Sequence, residues 1–191
     1  MGGSVSIAGS GPELVDGCVD LDGNGVGDCH ETLLQNADFK SNVEAWLVGV
    51  SPQITWSELN RALDTPSGSA AVSFVSEPSD EDGVIGAAAA QCLEVEGGTQ
   101  LEVAGNVFIE PDQGDGLATL AVWSFESDDC SGARLDAFEL AHSQTGIWLA
   151  VSGAPTTPAA TRSLLVRLGV TKSVRAASFE VLFDNVLVRK L

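Results

Sequence analysis

An antiparallel β-sandwich of the jelly-roll type is the fold the sequence predicts, and three observations predict it. Some nine short apolar runs follow one another from Thr32 onward, split by Gly, Pro, Asp and Ser. Neither a strand–helix–strand alternation nor an internal repeat interrupts them, so the class is all-β. The chain has 191 residues, 44% hydrophobic and 19% charged, a globular composition with length for one sizeable core.

The predicted strands, in order, are VEAWLV (43–48), QITWS (53–57), SAAVSFV (69–75), AAAQCLEVE (88–96) and TQLEVAGNVFIE (99–110). LATLAVWSFE (117–126), GIWLAVS (146–152), RSLLVRLGV (162–170) and ASFEVLFDNVLVRK (177–190) follow. Alternation with a period of two is clearest at Leu164, Val166 and Leu168 and at Phe179, Val181 and Phe183. LATLAVWSFE is apolar on both faces, which predicts an interior strand. ARLDAFELA (133–141) is the one helix-like segment, with Leu135 and Phe138 able to share a face, although its period is ambiguous. Trp46 and Trp123 are read as packing residues.

A net charge of −18, from 27 acidic and 9 basic residues, excludes nucleic acid and anionic membrane as partners, because both are bound by Lys and Arg neutralising phosphates. No apolar run approaches the ~18 residues of a membrane-spanning helix. Such acidity suits cations, salty or extracellular surroundings and neutral partners, or serves solubility alone.

Four cysteines allow three pairings. Cys18 and Cys29 closely flank an acidic loop, Cys92 lies in a strand-like run and Cys130 in a turn. The expected disulfides are Cys18–Cys29 and Cys92–Cys130, which implies an oxidising compartment. Four reduced thiols in a cytosolic protein are the alternative; no CxxC and no zinc spacing is present. Residues 1–15 are Gly/Ser-rich without the basic and apolar regions of a signal peptide, and are expected to be a leader or linker in a longer multidomain protein.

Residues 16–31 contain CVDLDGNGVGDCHE. Counted from Asp20, acceptable oxygen donors stand at every position of a twelve-residue calcium loop: Asp20, Asp22, Asn24, the carbonyl of Val26, Asp28 and Glu31, with Gly25 at the sharp turn. The flanks are too short for the two helices of an EF-hand. A solvated turn without metal is the alternative, but uncompensated carboxylates there would repel one another. His30 has no spacing partner and is read as exposed. The DLDGNG core and the GVGDC ending resemble thrombospondin type 3 calcium repeats and, more distantly, dockerin loops, over about fourteen residues.

The body, residues 32–191, resembles the galactose-binding-like jelly rolls, which include many carbohydrate-binding modules of secreted glycoside hydrolases. The resemblance rests on NADF followed by Trp46, on SGSAAV, on QCLEV before GGTQLEV, and on the closing FEVLFDNVLV. It implies a structural calcium joining the first and last strands, at Asn36, Asp38 and Asp184 of this chain, with a glycan as partner and a secreted or cell-surface location. An exposed loop carboxylate at Asp184, with Asn185 turning the chain, is equally open.

Pyranose rings are bound on aromatic faces with polar groups nearby. Trp56, flanked by Ser57, Glu58 and Asn60, is the first candidate platform and Trp148 the second; all four tryptophans lying in the core is the alternative. Catalysis is not expected. His30 and His142 lie outside any nucleophile context, GxSxG is absent, and no acidic pair stands out beside aromatics. The expected function is therefore a non-catalytic extracellular carbohydrate-binding module stabilised by calcium. A calcium-braced structural or adhesive module of a larger secreted or surface protein is the alternative, and a small glycosidase or lyase a third.

Overall fold

Alternating apolar side chains close two five-stranded antiparallel sheets onto each other. This computed structural model describes residues 13–15, 18–20, 32–48, 53–61, 68–80, 82–111, 113 and 115–191. In chain order the strands are β1 (Glu13–Val15), β2 (Cys18–Asp20), β3 (Leu47–Val48), β4 (Gln53–Ser57), β5 (Ser69–Val75) and β6 (Val84–Glu94). They continue with β7 (Leu101–Ile109), β8 (Gly116–Phe125), β9 (Arg134–His142), β10 (Trp148–Gly153), β11 (Ser163–Ser173) and β12 (Ser178–Lys190). Sheet one has the order β10-β7-β12-β5-β4 and sheet two β3-β6-β11-β8-β9, while β1 and β2 pair separately. The fold is the predicted all-β jelly-roll sandwich. Among the described residues, no helix is long and apolar enough to cross a membrane.

The core is the inward set of each alternating strand. Leu101, Val103, Val107 and Ile109 of β7 and Phe179, Val181 and Phe183 of β12 face Leu164, Val166, Leu168 and Val170 of β11 with Leu120 of β8, all essentially inaccessible to water. Each such burial is worth about 1.5–3 kcal/mol against an exposed side chain. Trp46 joins the core as expected. LATLAVWSFE forms β8, an interior strand between β11 and β9.

Three local expectations are corrected. VEAWLV pairs only at Leu47 and Val48, because Ala45 takes a left-handed φ of 73° and turns the chain just before them. The strand containing Cys92 begins at Val84 rather than residue 88, its early alanines matching Gly169 and Val170 of β11. The helix-like 133–141 segment is instead β9, paired with β8 from His142↔Ala118 to Arg134↔Phe125. Its half-buried positions are Phe138, Leu140 and His142, a spacing of two. The partner strand's backbone groups settle an ambiguous local period.

Cys92 and Cys130 form the expected disulfide. It bridges from β6 across β11 to the loop after β8, where Ser163 Oγ receives the N–H of Cys130 and donates to Ser127 O. Of the acidic loop, only the backbone of Cys18–Asp20 is described; the side chains of Asp20, Asp22, Asn24, Asp28 and Glu31, the carbonyl of Val26, His30 and the Cys18–Cys29 pairing lie outside the described residues.

At the other end of the sequence, the opening and closing motifs meet. Leu33 N–H donates to Val188 O and Val186 N–H to Ala37 O. The register of β12 on β7 shifts between Asp184 and Leu187, with Asn185 at φ 48°, so a β-bulge sits where FDNV passes the NADF segment.

Candidate functional site

Parity along the strands of sheet one decides which side chains face outward. Register places Trp148 beside Phe108, Phe108 beside Leu182, Leu182 beside Ala71 and Ala71 beside Thr55, one row running across all five strands. Because neighbours one residue away on β7, β12 and β5 are core side chains, this row lies on the outer face. Leu182 and Ala71 are buried there, whereas Phe108 and Trp148 are half-buried. The Phe108 and Trp148 rings sit 5.4 Å apart, tilted by 35°. They form an accessible aromatic platform.

The next row supplies polar groups: Ala150, Asn106 and Asp184 stand side by side. Arg61, from the segment after β4, donates from Nη1 to Asn106 Oδ1 at 2.6 Å and from its backbone N–H to Asp184 Oδ2 at 3.1 Å. Ser69 Oγ donates to Leu59 O at 2.6 Å, holding the same segment over the sheet. Asn106, with its oxygen taken by Arg61, keeps its amide N–H groups for another acceptor, since none is supplied by the described residues.

Asp184 is fully buried. Burial pushes its carboxyl up to about 6, partly offset by the N–H groups of Arg61 and Asn185, and the negative charge of Asp38 raises it further. It is therefore not the exposed loop carboxylate that stood as an alternative. Asp38 itself pairs with Lys40 at 3.2 Å. Asn36 spends its amide on Asn42 and on Glu44 O, and its carbonyl accepts from Trp46 Nε1. Two carboxylates in mutual repulsion suit a cation. Among the described residues, however, no three acidic, His or Cys groups converge, so calcium at Asp38 and Asp184 would need backbone carbonyls to reach six to eight oxygens.

Trp56 is placed elsewhere. It lies opposite Ala70, a core residue, and so on the inner side of edge strand β4. Although 36% exposed, its Nε1 donates to Phe39 O at 2.7 Å, and a Cβ on Gly68 would come within 2.3 Å of that nitrogen. Trp56 closes the sandwich edge and shares no face with Trp148. Trp123, expected in the core, is half-buried on the outside of sheet two, with Nε1 donating to Glu139 Oε1. His142 Nε2 donates to the carbonyl oxygen of Gln144 at 2.9 Å. A groove at one end of the sandwich, lined by Glu94, Glu96, Glu126, Asp128, Arg162 and Lys190, is charged but has no aromatic side chain.

Sequence reasoning named Trp148 but missed Phe108, Asn106 and Arg61. The GNVFIE segment carried a usable signal, since Asn106 and Phe108 are two apart and must share a face. Arg61 had none, because its contacts are made over 45 and 123 residues of sequence.

No protein-family model and no curated protein matches the chain. Solved structures do. The CBM22-1 xylan-binding domain of Paenibacillus barcinonensis Xyn10C has a TM-score of 0.57 at 14% identity, over 83% of this chain and 94% of that one. TmCBM61, in complex with β-1,4-galactotriose, has a TM-score of 0.53 at 15% identity, over 84% and 99%. The enzymatically active domain of bacteriophage CBA120 tailspike protein 4 gives 0.61 at 13% identity over 86% of this chain, which spans only 22% of the tailspike chain. At these identities the likeness is one of fold.

Proposed function

We propose that the chain is a non-catalytic carbohydrate-binding module of a secreted or surface protein, and that a glycan lies across the outer face of sheet one. The single observation that carries this is the half-buried Phe108–Trp148 pair with Asn106 and Arg61 beside it. Sugar C–H faces stack on such rings while amide and guanidinium groups take the hydroxyls. Similarity of fold to the xylan-binding domain and the galactotriose complex supports the reading. It is tested by affinity electrophoresis against neutral plant and algal polysaccharides: wild type is retarded by at least one, and Trp148→Ala is not.

Calcium belongs to the same proposal. Asp20, Asp22, Asn24, Val26, Asp28 and Glu31 would hold one ion, and Asp38 with Asp184 would contribute to a second; both ions brace the domain and take no part in chemistry. The structural or adhesive alternative draws on the Arg61 segment, whose bonds to Asn106 and Asp184 serve stability as well as recognition. That alternative predicts retardation by none of the polysaccharides.

A further inference from the structure

The outward face of sheet two carries a cluster that the sheet-one platform does not use. Trp123 on β8 stands between Leu165 of β11 and Ala137 of β9. Along the strands, Arg167 occupies the row of Ala121 and Arg134 the row of Phe125, so the two arginines flank Trp123 on opposite sides. Their Cζ atoms lie 3.6 Å and 4.5 Å from the indole centroid. Glu139 accepts the indole N–H and fixes the ring's orientation. Stacking on a ring occupies the face of a guanidinium and leaves the N–H donors at its edge available.

The partners of the other arginines single this pair out. The chain has six arginines. Arg162 pairs with Asp128, Arg175 with Asp82 and Arg189 with Glu102, and Arg61 donates to Asn106. Among the described residues, Arg134 and Arg167 alone of the six have neither an ion pair nor a hydrogen-bond acceptor. That is unexpected in a chain with 27 acids to 9 bases. Arg167 is half-buried, its burial and the charge of Arg134 both opposing its protonated form while Glu139 offsets part of the cost. An anion reached by the free edges of both guanidiniums, beside the ring they stack on, would offset both penalties.

We propose that this cluster is a second ligand site, for the carboxylate of an isolated uronate on an otherwise neutral glycan. A planar carboxylate matches the guanidinium fork. The exposed side chains of Leu135 and Ala137 supply apolar surface for the sugar ring beside it. A densely charged polyanion is excluded by the net charge of −18, whereas one carboxylate meets only the local field, the rest being screened beyond about 8 Å at physiological salt. The identity of the carrier as a glycan rests on the reading of sheet one.

The test compares glucuronoxylan with the same polymer after chemical reduction of its carboxyl groups, at physiological salt. Wild type binds glucuronoxylan about tenfold more tightly or better, the scale of one charge-assisted hydrogen bond. Arg134→Ala, at an exposed position, erases the preference, and Arg167→Lys, which keeps charge but loses the fork, weakens it. Trp148→Ala keeps the preference while losing affinity for the reduced polymer. Equal wild-type affinity for both polymers, or a preference that survives both arginine variants, overturns the second site and leaves the sheet-one reading standing. If neither polymer binds, the sheet-one reading loses its support for xylans, and free glucuronate against glucose is titrated by indole fluorescence. A glucuronate response lost in Arg134→Ala then sustains the second site, and no response overturns it.

Discussion

Asp184 shows how one buried side chain links the proposed binding face to the fold. Its carboxyl lies at about 6 in the folded chain against 3.8 unperturbed, so the fold favours the neutral form. Its contribution to stability is therefore fullest below the unfolded value and is lost as pH rises through 6. Lowering the pH from neutrality to about 5 should stabilise the protein at this site, by about 1–2 kcal/mol once relaxation is allowed for. Denaturant titrations of wild type and Asp184→Asn at both pH values check this: the pH dependence should shrink in the variant. Calcium bound beside Asp38 would draw the titration downward, so repeating the series with calcium and with chelator tests that ion directly. The burial of Asp184 could be foreseen only in part. An acid inside FEVLFDNVLV needs a partner, but that its partners are the backbone N–H groups of Arg61 and Asn185 is a tertiary fact.

Strand elements were legible wherever a partner strand and the local pattern agreed. The alternation in β11 and β12 announced their inward faces. β9 was misread because Leu135 and Phe138 fit a helical face as well as a strand, and only pairing with β8 decides between them. The same uncertainty of face hid the role of Trp56: parity relative to Ala70 is fixed by pairing, not by the QITWS segment. Gly68→Ala should accordingly cost about 1–3 kcal/mol, because the new methyl must displace the Trp56 indole or the backbone of Ser57. A denaturant midpoint shift with unchanged slope checks it, and an unchanged midpoint would contradict the packing described. The Cys92–Cys130 bridge closes 38 residues of sequence, and its reduction should cost about 2–5 kcal/mol, measured as a lower Tm in reductant.

For the whole molecule, composition excluded more than it assigned. The acid excess argued against phosphate backbones and membranes, and the two sandwich faces then divide the remaining possibilities between them. Sheet one offers aromatic rings with amide and guanidinium groups; sheet two offers an indole between guanidiniums. Neither face is visible as a motif, because each gathers residues from strands distant in sequence. The proposed calcium loop, in contrast, is local and is read from twelve consecutive residues. Calcium at 100 times its dissociation constant would add about 2.7 kcal/mol per site to the folded state, so chelation should lower the Tm measurably. An identical melting curve in EDTA would contradict calcium bracing without touching the glycan reading. Glycan binding by sheet one is tested most directly by running wild type and Trp148→Ala side by side through gels carrying xylan, galactan and other neutral polysaccharides. Wild type should be retarded by at least one glycan, and a Trp148→Ala variant of unchanged Tm should not; wild type that runs freely through every gel, or a variant retarded as strongly as wild type, would contradict a glycan site on sheet one.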